Sequence, residues 1–192
     1  RFFTRGLKRH FAGFAAFSTN GFKHLFFTEI PTAAARLKTA FATQIRAVLS
    51  TGVRILCIET MTAVEEAVCA VQAARETAEE LSIRVEIMAT MTFTETPKGY
   101  RTFMGVDCQS AVEKLTQAGA DVLGSNCGNG IEQMVPIARE FRRLTDKPIL
   151  IQANAGLPQI EAGVTVFRQS PEHMARWVPK LIEEGVSIVG GC

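Results

Sequence analysis

Two of the five cysteines stand where an alternating α/β chain usually does its chemistry. Cys127 lies in Gly124-Ser125-Asn126-Cys127-Gly128-Asn129-Gly130, after the apolar run Ala120-Asp121-Val122-Leu123, and Cys192 closes Val186-Ser187-Ile188-Val189-Gly190-Gly191-Cys192. Runs rich in β-formers read as strands, so both thiols are expected at strand ends. In a parallel sheet or barrel the carboxyl ends of the strands open on one face, and that face carries the active site. The strand of Ile149 should lie between the two cysteine strands, which sets their backbones roughly 9 to 10 Å apart before any curvature. A disulfide needs Cα atoms within about 6.8 Å. A metal bridges such thiols more easily, and zinc with thiolate ligands and one open position is a catalytic arrangement. Three protein ligands are expected there and two are visible. The competing reading is a pair of ordinary buried strand cysteines.

Glu59 ends the otherwise apolar run Val53-Arg54-Ile55-Leu56-Cys57-Ile58 on the same face. A carboxylate there can hold a substrate ammonium group or simply favour the dipole of the next helix. Asn126 and Asn154, also at strand ends, can bind substrate or close the loops behind them. Gly190-Gly191 reads as a phosphate-binding turn or as a turn needing positive φ. Cys57 and Cys69 fit the core, and Cys108, at a helix start, is expected to be inert. A cysteine nucleophile needs a base, and the one histidine in the regular part, His173, falls in a helix away from the strand ends.

The elements that would position these groups follow from the pattern of apolar residues. Pro31 can open a helix carrying Leu37, Phe41, Ile45 and Val48-Leu49, which Gly52 ends. After the Glu59 strand, Thr62 and Glu65 form a capping box for a helix reaching about Leu81. A strand over 85–91, a long loop through Pro97, Gly99 and Gly105, and a helix over 110–118 come next. The Val122 strand, a helix over 131–144, the Ile149 strand, another long loop, and a helix over 171–184 capped by Ser170 lead to the strand before Cys192. Five strands alternating with helices at about 30-residue spacing make a parallel sheet with right-handed crossovers. A closed (β/α)8 barrel needs eight strands. The expected fold is therefore α/β: a partial (β/α)8 TIM barrel of about five βα units, truncated at both ends, occupying residues 31–192.

Residues 1–30 hold eight of the 13 phenylalanines, with no steady period and no convincing strand. They carry five basic residues against one acidic residue, whereas the remainder carries 16 basic and 18 acidic. This basic segment is left unassigned; a transit peptide and a stretch of another reading frame are both open. The mildly acidic body excludes a nucleic-acid-binding surface. No apolar stretch reaches the roughly 18 residues of a membrane span. Five cysteines without close pairs fit a reducing cytoplasm better than a disulfide scaffold.

Taken together, Gly-Ser-Asn-Cys-Gly-Asn-Gly (124–130), Gln-Ala-Asn-Ala-Gly-Leu-Pro (152–158), Ile58-Glu59-Thr60 and Gly-Val-Ser-Ile-Val-Gly-Gly-Cys (185–192) resemble the homocysteine S-methyltransferase family. The resemblance covers roughly residues 37–192. It implies a (β/α)8 barrel and zinc-dependent methyl transfer to homocysteine, forming methionine. It implies zinc held by three cysteines, with Cys127 and Cys192 as two of them and the third following Cys192. Glu59 would hold homocysteine, and Asn126 and Asn154 would line its site. The methyl donor would be a small molecule or methylcobalamin on a corrinoid domain or protein. The family's first strands and their substrate loop are not found in residues 1–36. Two other functions stay open: a phosphate-binding aldolase or isomerase barrel using Gly190-Gly191, and a non-catalytic barrel fragment. The first would call for a lysine or acid pair at the strand ends, and no strand-end lysine is seen.

Overall fold

The computed structural model describes residues 14–18 and 30–192, with side chains from residue 34 onward. In chain order the elements are β1 (Phe14–Ser18), α1 (Ile30–Leu49), β2 (Ile55–Met61), α2 (Val64–Glu80), β3 (Glu86–Met91), β4 (Phe93–Thr96) and β5 (Gly99–Thr102). There follow α3 (Cys108–Ala118), β6 (Val122–Asn126), α4 (Ile131–Leu144), β7 (Ile149–Ala153), β8 (Gln159–Glu161), β9 (Val164–Val166), α5 (Pro171–Glu183) and β10 (Ile188–Gly191). Six of the strands form one sheet in the order β1-β2-β3-β6-β7-β10, every pairing parallel. Order in space thus follows order in the chain, with no reversal point.

The two faces of the sheet are built differently. One face carries Leu56, Ile58, Ile87, Ala89, Leu123, Ile149 and Ile151, and it packs with buried residues of every helix: Phe41, Val71, Leu115, Phe141 and Leu181. The other carries Cys57, Met88, Val122 and Leu150 with Ile55 beside them, and no helical residue joins that cluster. Helices on a single side of a parallel sheet are the arrangement of a barrel wall, whose second face is filled by strand side chains alone. The fold is consistent with a partial TIM barrel.

Four expectations need correction. A strand does precede Pro31: β1 pairs with β2 from Phe14↔Ile55 to Ser18↔Glu59. Phe-Ala-Ala-Phe-Ser shows no apolar–polar alternation, so its signal was lost among neighbouring phenylalanines. The sheet thus reaches into the segment left unassigned, and the roles left open for the rest of 1–30, a transit peptide or a stretch of another reading frame, fall outside the described residues. Thr62 and Glu65 form no capping box: α2 is preceded by Ala63 without a side-chain cap, and Glu65 pairs instead with Lys114 of α3 at 2.9 Å. The third helix starts two residues earlier than expected, at Cys108, because Asp107 caps it by accepting from the Ser110 N–H at 2.8 Å. The two long loops, after β3 and after β7, each contain an antiparallel hairpin, β4–β5 and β8–β9.

α1 ends near Gly52 as its pattern requires, with Phe41, Ile45 and Leu49 buried. Among the described residues no helix is long and apolar enough to cross a membrane.

Candidate functional site

The glycines of the two cysteine motifs explain how the strands come close enough to share a site. A Cβ at Gly124 would lie 1.8 Å from the Leu150 carbonyl oxygen, so only glycine lets β6 and β7 approach at this point. Gly190 and Gly191 lie within β10 and have no positive φ. They are neither a phosphate turn nor a positive-φ turn, because the strand runs two residues further than its apolar pattern. A Cβ at Gly190 would meet the Gln152 side chain at 3.0 Å, so this glycine clears space for Gln152.

Past these points both cysteines are tied to the end of β7. Cys127 adopts φ 60°, and its N–H donates to the Gln152 carbonyl at 3.0 Å. The Cys192 N–H donates to the next carbonyl, that of Ala153, at 2.9 Å. The two cysteines thus flank β7 as their strand order requires, and Cys127 lies close enough to act on the Cys192 thiol. Burial, and then the Cys127 sulfur beside it, push the Cys192 thiol up to about 11. Two soft donors that repel one another as thiolates are a donor set a divalent cation would favour in its ionised form. They fit two of the positions of a thiophilic metal. Among the described residues no cluster of three histidine, cysteine or acidic side chains gathers.

Glu59 lies on the inner face with the thiols. Burial raises its pKa, and a side-chain hydrogen bond from Gln152 partly offsets that rise. Its charge in turn contributes to raising Cys192. The register of β2 on β3 shifts between Ile58 and Met61, so Glu59 and Thr60 form a bulge, with Thr60 at φ 61°. That conformation is an outlier for a β-branched residue and costs roughly 1–3 kcal/mol. The bulge aims a carboxylate into the barrel mouth.

Asn126 is fully buried at the centre of this arrangement. Its Oδ1 accepts from the Thr60 N–H and from the Thr90 hydroxyl, both at 2.7 Å, and its Nδ2 donates to Thr60 Oγ1 at 2.8 Å and reaches Cys192 Sγ at 3.8 Å. Asn154 is buried at the end of β7, where its N–H donates to the Asn129 carbonyl at 2.9 Å. The structure thus brings Glu59, Asn126, Cys127 and Cys192 together.

Sequence reasoning missed Gln152, Thr60 and Thr90. Gln152 had a usable signal, a polar residue at the end of the apolar run Ile149-Leu150-Ile151; Thr60 stood in the Ile58-Glu59-Thr60 motif without a role of its own, and Thr90, an ordinary strand residue, had no signal. Cys57 is buried as expected, Cys69 is half-buried against the core, and Cys108 is buried as well; burial pushes the Cys57 and Cys108 thiols up to about 12. His173 pairs with Glu132 at 2.6 Å, at the start of α4, which gives a thiol no base.

A family model described as homocysteine S-methyltransferase matches residues 14–192, a span that opens at β1. The methionine synthase of Mycobacterium tuberculosis is 25% identical over 170 residues, 86% of this chain and 14% of that protein. The methionine synthase of Mycobacterium leprae is 30% identical over 90 residues, 46% of this chain and 8% of that one. The chain therefore spans a small part of these relatives. Among solved structures, the homocysteine methyltransferase MmuM of Escherichia coli superposes in its apo form with a TM-score of 0.62 at 19% identity, covering 83% of this chain and 51% of that one. Its metallated form gives 0.59 at 20%, covering 81% and 47%.

Proposed function

The chain belongs to the homocysteine S-methyltransferase family, and we propose that its protein transfers a methyl group to the thiol of homocysteine, forming methionine with the help of zinc. The convergence of the Cys127 and Cys192 thiols beside Glu59 supports this reading. Cys127 and Cys192 would supply two of the zinc's donors, with a further donor from outside the described set. A free thiol has a pKa near 8.5, so at neutral pH little homocysteine is nucleophilic thiolate; bound zinc would supply the positive charge that keeps it ionised.

The chain's own residues bind and orient. Glu59 takes the substrate ammonium, which repays the desolvation that raises its carboxyl pKa, and Gln152 keeps that carboxylate aimed. Asn154 contacts the amino-acid end of the substrate. Such anchoring holds the sulfur in line with an incoming methyl group. The donor is a small methylated molecule, or methylcobalamin on a corrinoid domain or protein. The length of the methionine synthase relatives beyond the matched part favours the second. A reducing cytoplasm suits five free cysteines.

The test compares zinc content and methionine formation in the intact protein and in Cys127→Ser. Loss of both in the variant is expected. A variant that keeps its zinc and forms methionine at the original rate overturns the proposal.

A further inference from the structure

The Asn126 side chain has four hydrogen-bonding capacities, two lone pairs on the oxygen and two N–H groups, and all four are taken by protein groups. Fully buried, it has no face left for a ligand. The groups it holds belong to different parts of the site. Thr60 is the second residue of the bulge that presents Glu59, Thr90 stands at the end of β3 between β2 and β6, and Cys192 follows β10. The bulge removes the Thr60 N–H from the ladder, and Asn126 Oδ1 replaces the lost acceptor. The same amide then points its remaining N–H at the Cys192 sulfur.

We propose that Asn126 is a positioning residue that locks the ammonium-binding bulge to the metal-binding thiol, and that its N–H···S bond tunes Cys192 as a metal donor. This rests on the metal reading of the two thiols. A donor hydrogen bond to a thiolate stabilises the filled sulfur orbitals and fixes the direction of the lone pair offered to a metal. Partners of this outer kind alter metal affinity by about 10- to 100-fold when removed. Asn126 thus makes the position of Glu59 depend on the position of Cys192.

Cobalt(II) titration of the intact protein, followed by the sulfur-to-cobalt charge-transfer band, tests this. Asn126→Ala should weaken cobalt binding about 10- to 100-fold and move the band to longer wavelength. Because that variant leaves the Thr60 N–H buried without a partner and risks misfolding, Asn126→Asp is measured beside it. The aspartate keeps both acceptor bonds but offers Cys192 no N–H, and it should show the same band shift. Thr90→Val removes one clamp bond without touching Cys192 and should leave the band in place, which separates tuning from a general loss of order. An unchanged band and affinity in the aspartate variant overturns the inference while leaving the metal reading intact. A wild-type protein with no cobalt–thiolate band, or one whose band keeps its full intensity and position in Cys127→Ser, overturns the metal reading and this inference with it.

Discussion

The two ends of the sheet are each tied by one polar side chain, and the contrast between them separates what holds this fold from what the fold is for. At the ends where the strands begin, Arg75 of α2 donates to the Gly119 carbonyl at 2.8 and 2.6 Å and to the Val85 carbonyl at 3.0 Å, and it pairs with Asp121. Asp121 in turn accepts from the Ile87 N–H at 2.7 Å. This fan ties α2 to the starts of β3 and β6 with partly exposed charges. At the opposite end the tie is a neutral amide, Asn126, fully enclosed and joined to two residues with thiol or strained backbone, Cys192 and Thr60. A neutral group is suited to burial because it carries no desolvation cost of an ion. In barrels the first end reads as stability and the second as chemistry, and each tie here has the character its end demands.

Gly124→Ala should break that separation most severely. Its Cβ has no room against β7, so the strands must part, at a cost of about 3 kcal/mol. Urea unfolding and cobalt binding should both suffer; a variant that loses neither would mean the strands slide apart freely. Arg75→Ala should cost about 2 kcal/mol in unfolding free energy, because it strands two carbonyls and a carboxylate, with homocysteine affinity unchanged. A loss of affinity would show that the two ends communicate. Glu59→Gln should do the reverse, weakening homocysteine binding about tenfold or more by calorimetry. It should not lower the melting temperature, since burial already disfavours the charge; for the same reason the wild type gains stability as pH falls through the raised Glu59 pKa.

The smallest effect sharpens the comparison away from both ends. Asp107 is held down to about 2 by the Ser110 N–H and hydroxyl and by Arg101, from an ordinary 3.8. Its stabilisation is present above the ordinary value and is lost as pH falls through about 2. Asp107→Ala should therefore cost about 1 kcal/mol at neutral pH and flatten the acid limb of the stability profile, with binding untouched.

Much of this architecture can be read from residue order. Helix–strand alternation from Pro31 onward, the shared face of Cys127 and Cys192 and the strand-end place of Glu59 all follow from apolar periodicity and turn residues. What escaped reading depends on neighbours distant in the chain. β1 escaped because Phe-Ala-Ala-Phe-Ser has no apolar–polar alternation and stands among other phenylalanines. The hairpins β4–β5 and β8–β9 escaped because strands of three or four residues carry too few positions to show a period. Gly190 looked like a turn residue, and its reason is the Gln152 side chain across the sheet, 38 residues away in Gln152's numbering. Thr60 and Thr90 became meaningful only once Asn126 was seen between them.

The Thr60 N–H lies outside the regular ladder, where backbone amides ordinarily exchange with water through small local openings. Tied to a buried oxygen on β6, it can meet solvent only when β2 and β6 separate. The bulge that carries Glu59 therefore belongs to the slow-exchanging part of the molecule rather than to its breathing edges. A ligand arriving at Glu59 would find its anchor already in place, with the ordering cost met when the chain folded.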